Sequence, residues 1–334
     1  MKLFFFKNLI FLLKMNNVND LIEASIEGDL ELVKELLNNV NVNTRDNLDR
    51  TALHYASLYG NLEIVKELIK RKDVNDNLDY KDFSNTTPLH FAVEKGYLEV
   101  VKELLNNGAD INAADTYGNT ILRTAIFNRR PEIAKELISR GVNINDKDNN
   151  DATPLHYAAK NGWLDVVKEL LDNKANVNDK DNNDATPLHY AAENGWLDVV
   201  KKLLDNGANV NDKDIDNKTP LHYAAENGWF DVVKELLDNG AFLDVKDNNG
   251  DTPLHYAAVN EYLDVVKILS ETGANLNAIN NEKLKPIDYA GNDEIYEYLS
   301  NAEQIADVRI IGPYFWIMFY NFINKPENLE MYKN

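Results

Sequence analysis

The chain has no cysteine among its 334 residues, which excludes disulfides, thiol nucleophiles and thiolate metal sites. This absence fits a reducing compartment, and we predict a cytoplasmic protein. Basic residues are also scarce, because 35 lysines and arginines stand against 55 aspartates and glutamates, a formal net charge of −20. Proteins bind phosphate backbones and anionic lipids through lysine and arginine, so the composition predicts no nucleic-acid partner.

Long hydrophobic runs are missing as well, and the two most apolar stretches lie at the ends. Residues 1–18 begin like a secretory leader, but Lys7 and Asn8 interrupt the apolar stretch and no Ala-x-Ala cleavage site follows. We expect an apolar extension or leader there, or a segment that precedes the true start of translation. Residues 310–323 are aromatic and apolar but short for a membrane span. We expect 303–334 to be a tail that covers the end of the fold, with membrane or partner association as the alternative.

One repeated phrase is what the chain has in abundance. Thr-Pro-Leu-His-Tyr-Ala-Ala occurs in its clearest form at 153–159, and its threonine recurs every 33 residues from Thr87 to Thr252. All six histidines lie in copies of this phrase: His54, His90, His156, His189, His222 and His255. A fixed period of this length indicates a stack of one small unit, whose function resides on a long surface rather than in a pocket.

Each unit contains the signals for two helices. Thr153 can cap the first helix, and Pro154 suits its first turn because that position needs no N–H donor. Gly162 ends this helix in the left-handed region. The second helix carries apolar residues at spacings of three and four, which share one face. A polar segment at 176–184 then predicts a projecting turn, and the position two before each motif threonine is Asp, Asn or Gly, which readily adopt positive φ.

The period, the Thr-Pro-Leu-His-x-Ala-Ala phrase, the Gly-x-Leu-Asp-Val-Val-Lys-x-Leu-Leu segment and Gly-Ala-Asn-Val-Asn together resemble the ankyrin repeat. The resemblance implies an all-α ankyrin-repeat solenoid of stacked antiparallel helix pairs, with β-hairpin-like turns that project as fingers beside a concave groove. We predict the array over 19–302. Its parts are an N-terminal cap at 19–45, repeats that start near residues 46, 82, 115, 148, 181, 214 and 247, and a terminal repeat at 280–302.

Two columns of titratable residues could suggest chemistry, but both have simpler explanations. The histidines are spread one per layer and cannot converge on one substrate, and the family resemblance implies that each bonds the motif threonine and nearby backbone. An aspartate column is expected to bond the amides of its own turns: Asp46, Asp82, Asp115, Asp148, Asp181, Asp214 and Asp247. The segment 146–151 lacks the glycine and glutamate of an EF-hand loop. We predict no catalytic residue, no cofactor and no metal.

Two further features have competing interpretations. In the divergent repeat at 115, Arg123 replaces the histidine, and four of the chain's eight arginines cluster there: Arg123, Arg129, Arg130 and Arg140. They form either a cationic patch for an acidic partner group or pairs with nearby carboxylates, which is the simpler interpretation. An aromatic column follows the inter-helix glycines at Tyr97, Trp163, Trp196, Trp229 and Tyr262. These rings either anchor a partner or, as we favour, pack on the preceding layer.

The contact positions carried over from the ankyrin family are the finger tip and the end of the first helix. In this sequence they are Asn149, Asn150, Ala152, Lys160, Asn161, Asn182, Asn183, Ala185, Glu193, Asn194, Ile215, Asp216, Lys218, Glu226, Asn227, Asn248, Asn249, Asp251, Val259 and Asn260. Asparagine dominates this set, so we expect discrimination to come from residues that break the pattern: Phe83, Tyr117, Arg123 and Phe127.

These observations predict a non-enzymatic, acidic, monomeric scaffold that binds a protein partner through its fingers and groove. The alternative is a membrane-tethered or exported protein of the same fold, targeted by its apolar ends.

Overall fold

The computed structural model describes residues 18–71, 74 and 78–302. The predicted aromatic tail and all but the last residue of the predicted N-terminal extension lie outside these residues. Within them the chain is helical, and its one β contact is an isolated antiparallel bridge between Ala114 and Thr120. The chain divides into two units, of which the first ends at Asn182 and the second begins at Asn183.

Within its described residues, the first unit contains five helix pairs. They are α1 Val18–Glu27 and α2 Leu30–Leu36; α3 Ala52–Tyr59 and α4 Leu62–Ile69; α5 Pro88–Lys95 and α6 Leu98–Asn106; α7 Ile121–Phe127 and α8 Pro131–Ser139; and α9 Pro154–Lys160 and α10 Leu164–Asp172. The first helices of successive pairs pack against one another, from α1 to α9, and so do the second helices, from α2 to α10. Each pair therefore forms one layer of a stack.

The second unit repeats this arrangement. Its pairs are α11 Pro187–Glu193 and α12 Leu197–Asp205; α13 Pro220–Glu226 and α14 Phe230–Asp238; and α15 Pro253–Val259 and α16 Leu263–Thr272, followed by a 3₁₀ helix at Pro286–Tyr289 and a helix, α17, over 293–302. Helices α11, α13 and α15 pack in order, and α15 contacts the 3₁₀ helix; α12, α14 and α16 pack likewise. The predicted all-α stack of helix pairs is confirmed.

The core lies between layers and is made of small and medium apolar side chains. In one layer of the second unit, Leu221, Ala224 and Ala225 of α13 are fully buried, as are Val233 and Leu236 of α14. Burial of a valine or leucine side chain contributes about 1.5–3 kcal/mol. The paired alanines have no bulk beyond Cβ, so first helices can approach each other closely, and each layer buries the apolar face of its neighbour.

The motif histidine connects two layers by hydrogen bonds. The N–H of Thr219 donates to Nδ1 of His222 at 3.0 Å, and the threonine hydroxyl lies 2.9 Å from the same nitrogen. Because Nδ1 accepts, the ring proton lies on Nε2, which donates to the carbonyl oxygen of Asp251 in the next finger at 3.3 Å. The capping-box geometry recurs at Thr51, Thr87, Thr153, Thr186 and Thr252. The predicted structural role of the histidines is confirmed.

Burial keeps these imidazoles neutral. Removal from water lowers the pKa of His54 and of His222 to about 4, and the same burial lowers the pKa of His90 and of His255. A neutral ring can accept at Nδ1 and donate at Nε2 at the same time, whereas an imidazolium can only donate. The interlayer link therefore requires the unprotonated form.

The aromatic column packs on glycine. A methyl group built on Gly195 would lie 2.5 Å from the ring of Trp229 in the next layer, and one on Gly228 would lie 2.5 Å from the ring of Tyr262. The indole Nε1 of Trp229 also donates to the carbonyl oxygen of Glu193 at 2.8 Å, which is one of the free carbonyls at the end of α11. The packing interpretation of this column is confirmed for these rings.

We predict that the protein loses stability as the pH falls from 6.5 to 4. Above pH 6.5 the four histidines whose pKa is lowered by burial are neutral in both the folded and unfolded states. Below it the unfolded chain binds protons that the folded chain excludes, which costs about 1.4 kcal/mol per pH unit for each histidine whose pKa is near 4. Urea unfolding midpoints at intervals across this range measure the loss. His222→Gln should reduce the slope, and a midpoint that is constant or rises on acidification would contradict the prediction.

We predict that Gly195→Ala destabilises the protein more than Gly207→Ala. Both glycines have positive φ, +75° and +86°, so both substitutions cost about 1–2 kcal/mol in backbone conformation. Only at Gly195 does the added methyl meet a ring, and overpacking adds roughly 1–3 kcal/mol. Nothing lies within 4 Å of the methyl position at Gly207, which makes it the matched control. Urea unfolding of the two variants gives the comparison, and equal losses would refute the packing argument.

Candidate protein-binding surface

The aspartate column builds the fingers. The Oδ1 atom of Asp247 accepts from the amides of Asn249 and Asp251, at 2.9 and 2.8 Å, and this arrangement recurs at Asp46, Asp82, Asp115, Asp148 and Asp214. The predicted role of the column in its own turns is thus confirmed at these six positions. Among the described residues, no group of three or more histidines and carboxylates is arranged to hold a metal ion.

Asparagines at the predicted contact positions have a structural function. At the finger tips, Nδ2 of Asn182 donates to the carbonyl oxygen of Asn149 and Nδ2 of Asn248 to that of Ile215, both at 3.2 Å. These two bonds tie the fingers of Asn182 and Asn248 to the ones that precede them. At the ends of the first helices, the side-chain amides of Asn161, Asn194, Asn227 and Asn260 donate to the carbonyl four residues earlier. Helix capping and finger pairing therefore account for the recurrence of asparagine.

The other predicted contact residues differ in what they can offer a partner. Ala152 and Ala185 are buried, with exposed fractions of 6% and 8%, because each lies directly before a capping threonine in the packed base of the finger. These two alanines therefore offer a partner little side-chain surface. In the second unit, Nζ of Lys218 lies 2.8 Å from a carboxylate oxygen of Glu226 and 4.3 Å from the ring centre of Tyr256. The exposed members of the set are Asn149, Asn150, Lys160, Asn182, Asn183, Glu193, Ile215, Asp216, Asn227, Asn248, Asn249, Val259 and Asn260.

Exposed apolar side chains form a row on the fingers of the first unit. Phe83 and Tyr117 are 72% and 70% exposed, and Leu48, which sequence reasoning missed, is 48% exposed at the tip of the preceding finger. Backbone bonds join these three fingers, because the amide of Phe83 donates to the carbonyl of Leu48 at 3.3 Å and that of Thr116 to Ser84 at 3.0 Å. The exposure of Leu48 could have been predicted from its position, because Leu48 and Tyr117 both lie two residues after a column aspartate. We call Leu48, Phe83 and Tyr117 the apolar finger row.

In four repeats a tyrosine of the first helix covers the column aspartate. The hydroxyl of Tyr223 donates to Oδ2 of Asp214 at 2.6 Å, and burial together with this bond raises the pKa of that phenol. Equivalent bonds of 2.5–2.7 Å join Tyr55 to Asp46, Tyr157 to Asp148 and Tyr256 to Asp247. At the divergent repeat the tyrosine is replaced by Thr124, and Oδ2 of Asp115 accepts instead from Nδ2 of Asn119 at 2.7 Å.

The missing ring leaves a cavity in the first unit. It has a volume of about 490 Å³ and is lined by Glu94, Asp115, Asn119, Arg123, Thr124, Phe127 and Asn128. Phe127 is 70% exposed and lies at the end of α7. The cavity thus brings together two of the four pattern-breaking residues, Arg123 and Phe127. Both residues were predicted from the sequence as breaks in the repeat pattern, whereas the role of Thr124, which replaces the tyrosine between them, was not.

Three of the four arginines of the divergent repeat bond nearby acceptors. Arg123 reaches the next layer, where Nη2 lies 2.9 Å from Oδ2 of Asp148 and 2.8 Å from the hydroxyl of Tyr157. Arg140 pairs with Glu136 at 2.6 Å. Arg130 takes the place of the column aromatic and donates to the carbonyl oxygen of Glu94 at 3.1 and 3.2 Å. The simpler interpretation, in which the arginines satisfy local acceptors, therefore describes these three residues.

No helix in the described part of the chain combines the length and apolar character needed to cross a membrane. A search of curated proteins finds no match. A family model described as ankyrin repeats (3 copies) matches residues 21–115, 85–148, 122–214 and 211–280. These matches together span 21–280 and agree with the helix pairs, capping boxes and fingers described above. The chain belongs to the ankyrin repeat family.

Proposed function

We propose that this protein is a non-enzymatic scaffold that binds a protein partner through the fingers and concave groove of its repeats. The apolar finger row is the observation that carries the proposal. Leu48, Phe83 and Tyr117 expose most or about half of their surface on three bonded neighbouring fingers, where the column aspartates and backbone bonds already hold the turns. Contiguous exposed apolar residues on a folded surface mark an interaction site.

The rigidity of the fingers supports the same proposal. Aromatic anchors dominate many protein interfaces because they bury a large area with little loss of side-chain entropy. A finger that is bonded within itself and to its neighbour presents such an anchor in one orientation, which lowers the ordering cost of association. Ankyrin repeats serve generally as protein-interaction modules, and this surface is suited to that use.

The non-enzymatic part of the proposal rests on the use of the histidines. In five repeats Nδ1 accepts from the capping threonine and Nε2 bonds the next finger, so both nitrogens are engaged: His54, His90, His189, His222 and His255. General acid–base catalysis requires a ring nitrogen within reach of a substrate proton. Buried and engaged rings do not meet that requirement.

We also propose a basic partner, a monomeric scaffold and a cytoplasmic location. A formal charge of −20 repels other copies of the chain and attracts positively charged surfaces, which accelerates their association at low salt. The absence of cysteine supports the compartment.

We predict that the double variant Phe83→Ser, Tyr117→Ser weakens partner binding at least tenfold. The purified full chain is used as bait, captured proteins are identified by mass spectrometry, and direct binding to each purified candidate is measured by titration calorimetry. Loss of two aromatic anchors removes about 2 kcal/mol or more of binding free energy. Phe242→Ser is the matched control, because Phe242 is 65% exposed but follows a second helix rather than a finger.

Three outcomes would contradict the proposed function. The first is that the wild-type chain captures no protein that binds it directly. The second is that the double variant binds the partner as tightly as the wild type does. The third is that Phe242→Ser weakens binding as much as the double variant does. Thermal unfolding of each variant shows whether a change in binding reflects loss of structure.

A further inference from the structure

The cavity at Thr124 exists because one repeat lacks the ring that the others use. Where tyrosine is present, its hydroxyl donates to Oδ2 of the column aspartate at 2.5–2.7 Å, as between Tyr223 and Asp214. Asp148 and Asp214 are buried beneath such rings, whereas Asp115, which lines the cavity, is partly exposed, as Asp46 is beneath Tyr55. A carboxylate with two oxygens can accept several hydrogen bonds, so Asp115 can take a further donor from outside the chain.

The chain itself shows which donor fits this position. At Asp82, where the tyrosine is replaced by Phe91, the guanidinium of Arg50 donates to Oδ2 at 3.0 Å and lies 4.7 Å from the Phe91 ring centre. At Asp148, the guanidinium of Arg123 lies 2.9 Å from Oδ2 and 4.5 Å from the ring centre of Tyr157. Twice, therefore, an arginine binds a column carboxylate at one edge and an aromatic ring on its face.

The lining of the cavity offers the same two partners to an incoming side chain. Asp115 supplies the carboxylate, and the exposed ring of Phe127 supplies the aromatic face. Glu94 supplies a second carboxylate, whose Oε1 atom already pairs with Lys95 at 2.6 Å. The one lining cation, Arg123, is already neutralised by Asp148, and its side chain is only 15% exposed. With Glu94 paired to Lys95 and Arg123 paired to Asp148, the net negative charge of the site is that of Asp115. The site therefore rejects an acidic group, because a second carboxylate would find no uncompensated cation there.

The geometry points to an arginine-binding pocket: the cavity at Thr124 accepts the guanidinium of a partner protein, held by Asp115 and Glu94 and stacked on Phe127. This pocket rests on the proposed function, because its occupant belongs to the protein that the fingers and groove bind. The pocket also discriminates among partner proteins, because it selects those that carry an arginine at one position of the bound segment. Lysine is a poorer fit because it lacks the planar face and fork of donors that stack on the ring and span two acceptors.

The test uses N-acetyl-arginine N-methylamide as the probe and the full-length ¹⁵N-labelled chain as the target. Transverse-relaxation-optimised NMR spectra follow the amides of 94 and 115–128 during titration, and the amides of 214–227, where Tyr223 is in place, are the internal control. We expect saturable shifts confined to the first set. The corresponding lysine and tyrosine amides should bind at least fivefold more weakly than the arginine probe.

Two substitutions separate the pocket from the fold. Thr124→Tyr restores the ring used in other repeats, so it should close the cavity, preserve or raise the melting temperature and weaken probe binding at least tenfold. Asp115→Asn removes the charge while its Oδ1 can still accept from the amides of Tyr117 and Asn119, and it should also weaken binding at least tenfold. Thr124→Ser, which keeps the cavity open, and Glu193→Gln, which removes an exposed charge in the second unit, are the matched controls and should bind like the wild type.

The outcomes distinguish this inference from the proposed function. Tighter binding of the tyrosine amide, equal binding of all three amides, or unchanged arginine binding by Thr124→Tyr would overturn the arginine pocket. If a protein partner is nevertheless captured and depends on Phe83 and Tyr117, the proposed function stands without the pocket. If the arginine probe binds as expected but no protein partner is captured, the pocket stands and the proposed function fails.

Discussion

The structure depends on a neutral imidazole that serves two layers at once. In five repeats the motif histidine holds the first turn of its own helix through the capping threonine and reaches the finger of the next layer with its other nitrogen. Local helix initiation and stacking are therefore coupled in one buried group. No layer buries enough apolar surface to be stable by itself. The histidine therefore matters twice, because it stabilises the start of its own helix and also holds the finger of the next layer in place.

Repeated bonding of side chains to the backbone also explains the composition of the surface. Asparagines that a family comparison assigns to recognition are used here to cap helices and to pair fingers, as Asn161 and Asn182 show. Side chains that bond the backbone in every repeat contribute little that is distinctive to a partner. Distinctive surface arises where a repeat departs from the pattern, at exposed apolar tips such as Phe83 and at the cavity beside Thr124.

The divergent repeat still packs in the stack, because the residues that replace its motif side chains form equivalent contacts. Arg130 replaces the aromatic that packs over the preceding glycine, and it bonds the carbonyl of Glu94 just as Trp229 bonds that of Glu193. Arg123 replaces a histidine but satisfies a buried aspartate in the following layer. The one replacement that does not fill its space is threonine for tyrosine at 124, and an open pocket results. The substitutions that preserve the stack and the proposed arginine pocket thus lie in the same repeat.

The sequence alone determined the helix pairs, their caps and their order, because a 33-residue period imposes the same local chemistry on every layer. It also determined the positive φ at finger residues such as Asp151 and Asn217, since few residue types tolerate that conformation. It did not reveal the burial of Ala152, the exposure of Leu48 or the partners of Arg123. Those depend on which atoms of adjacent layers meet, and the spacing of residues along one chain does not specify distances across a packed interface. Only the tertiary structure decided that the loss of one tyrosine ring would open a cavity, because its size depends on whether neighbours from the two layers that line it move in to fill it.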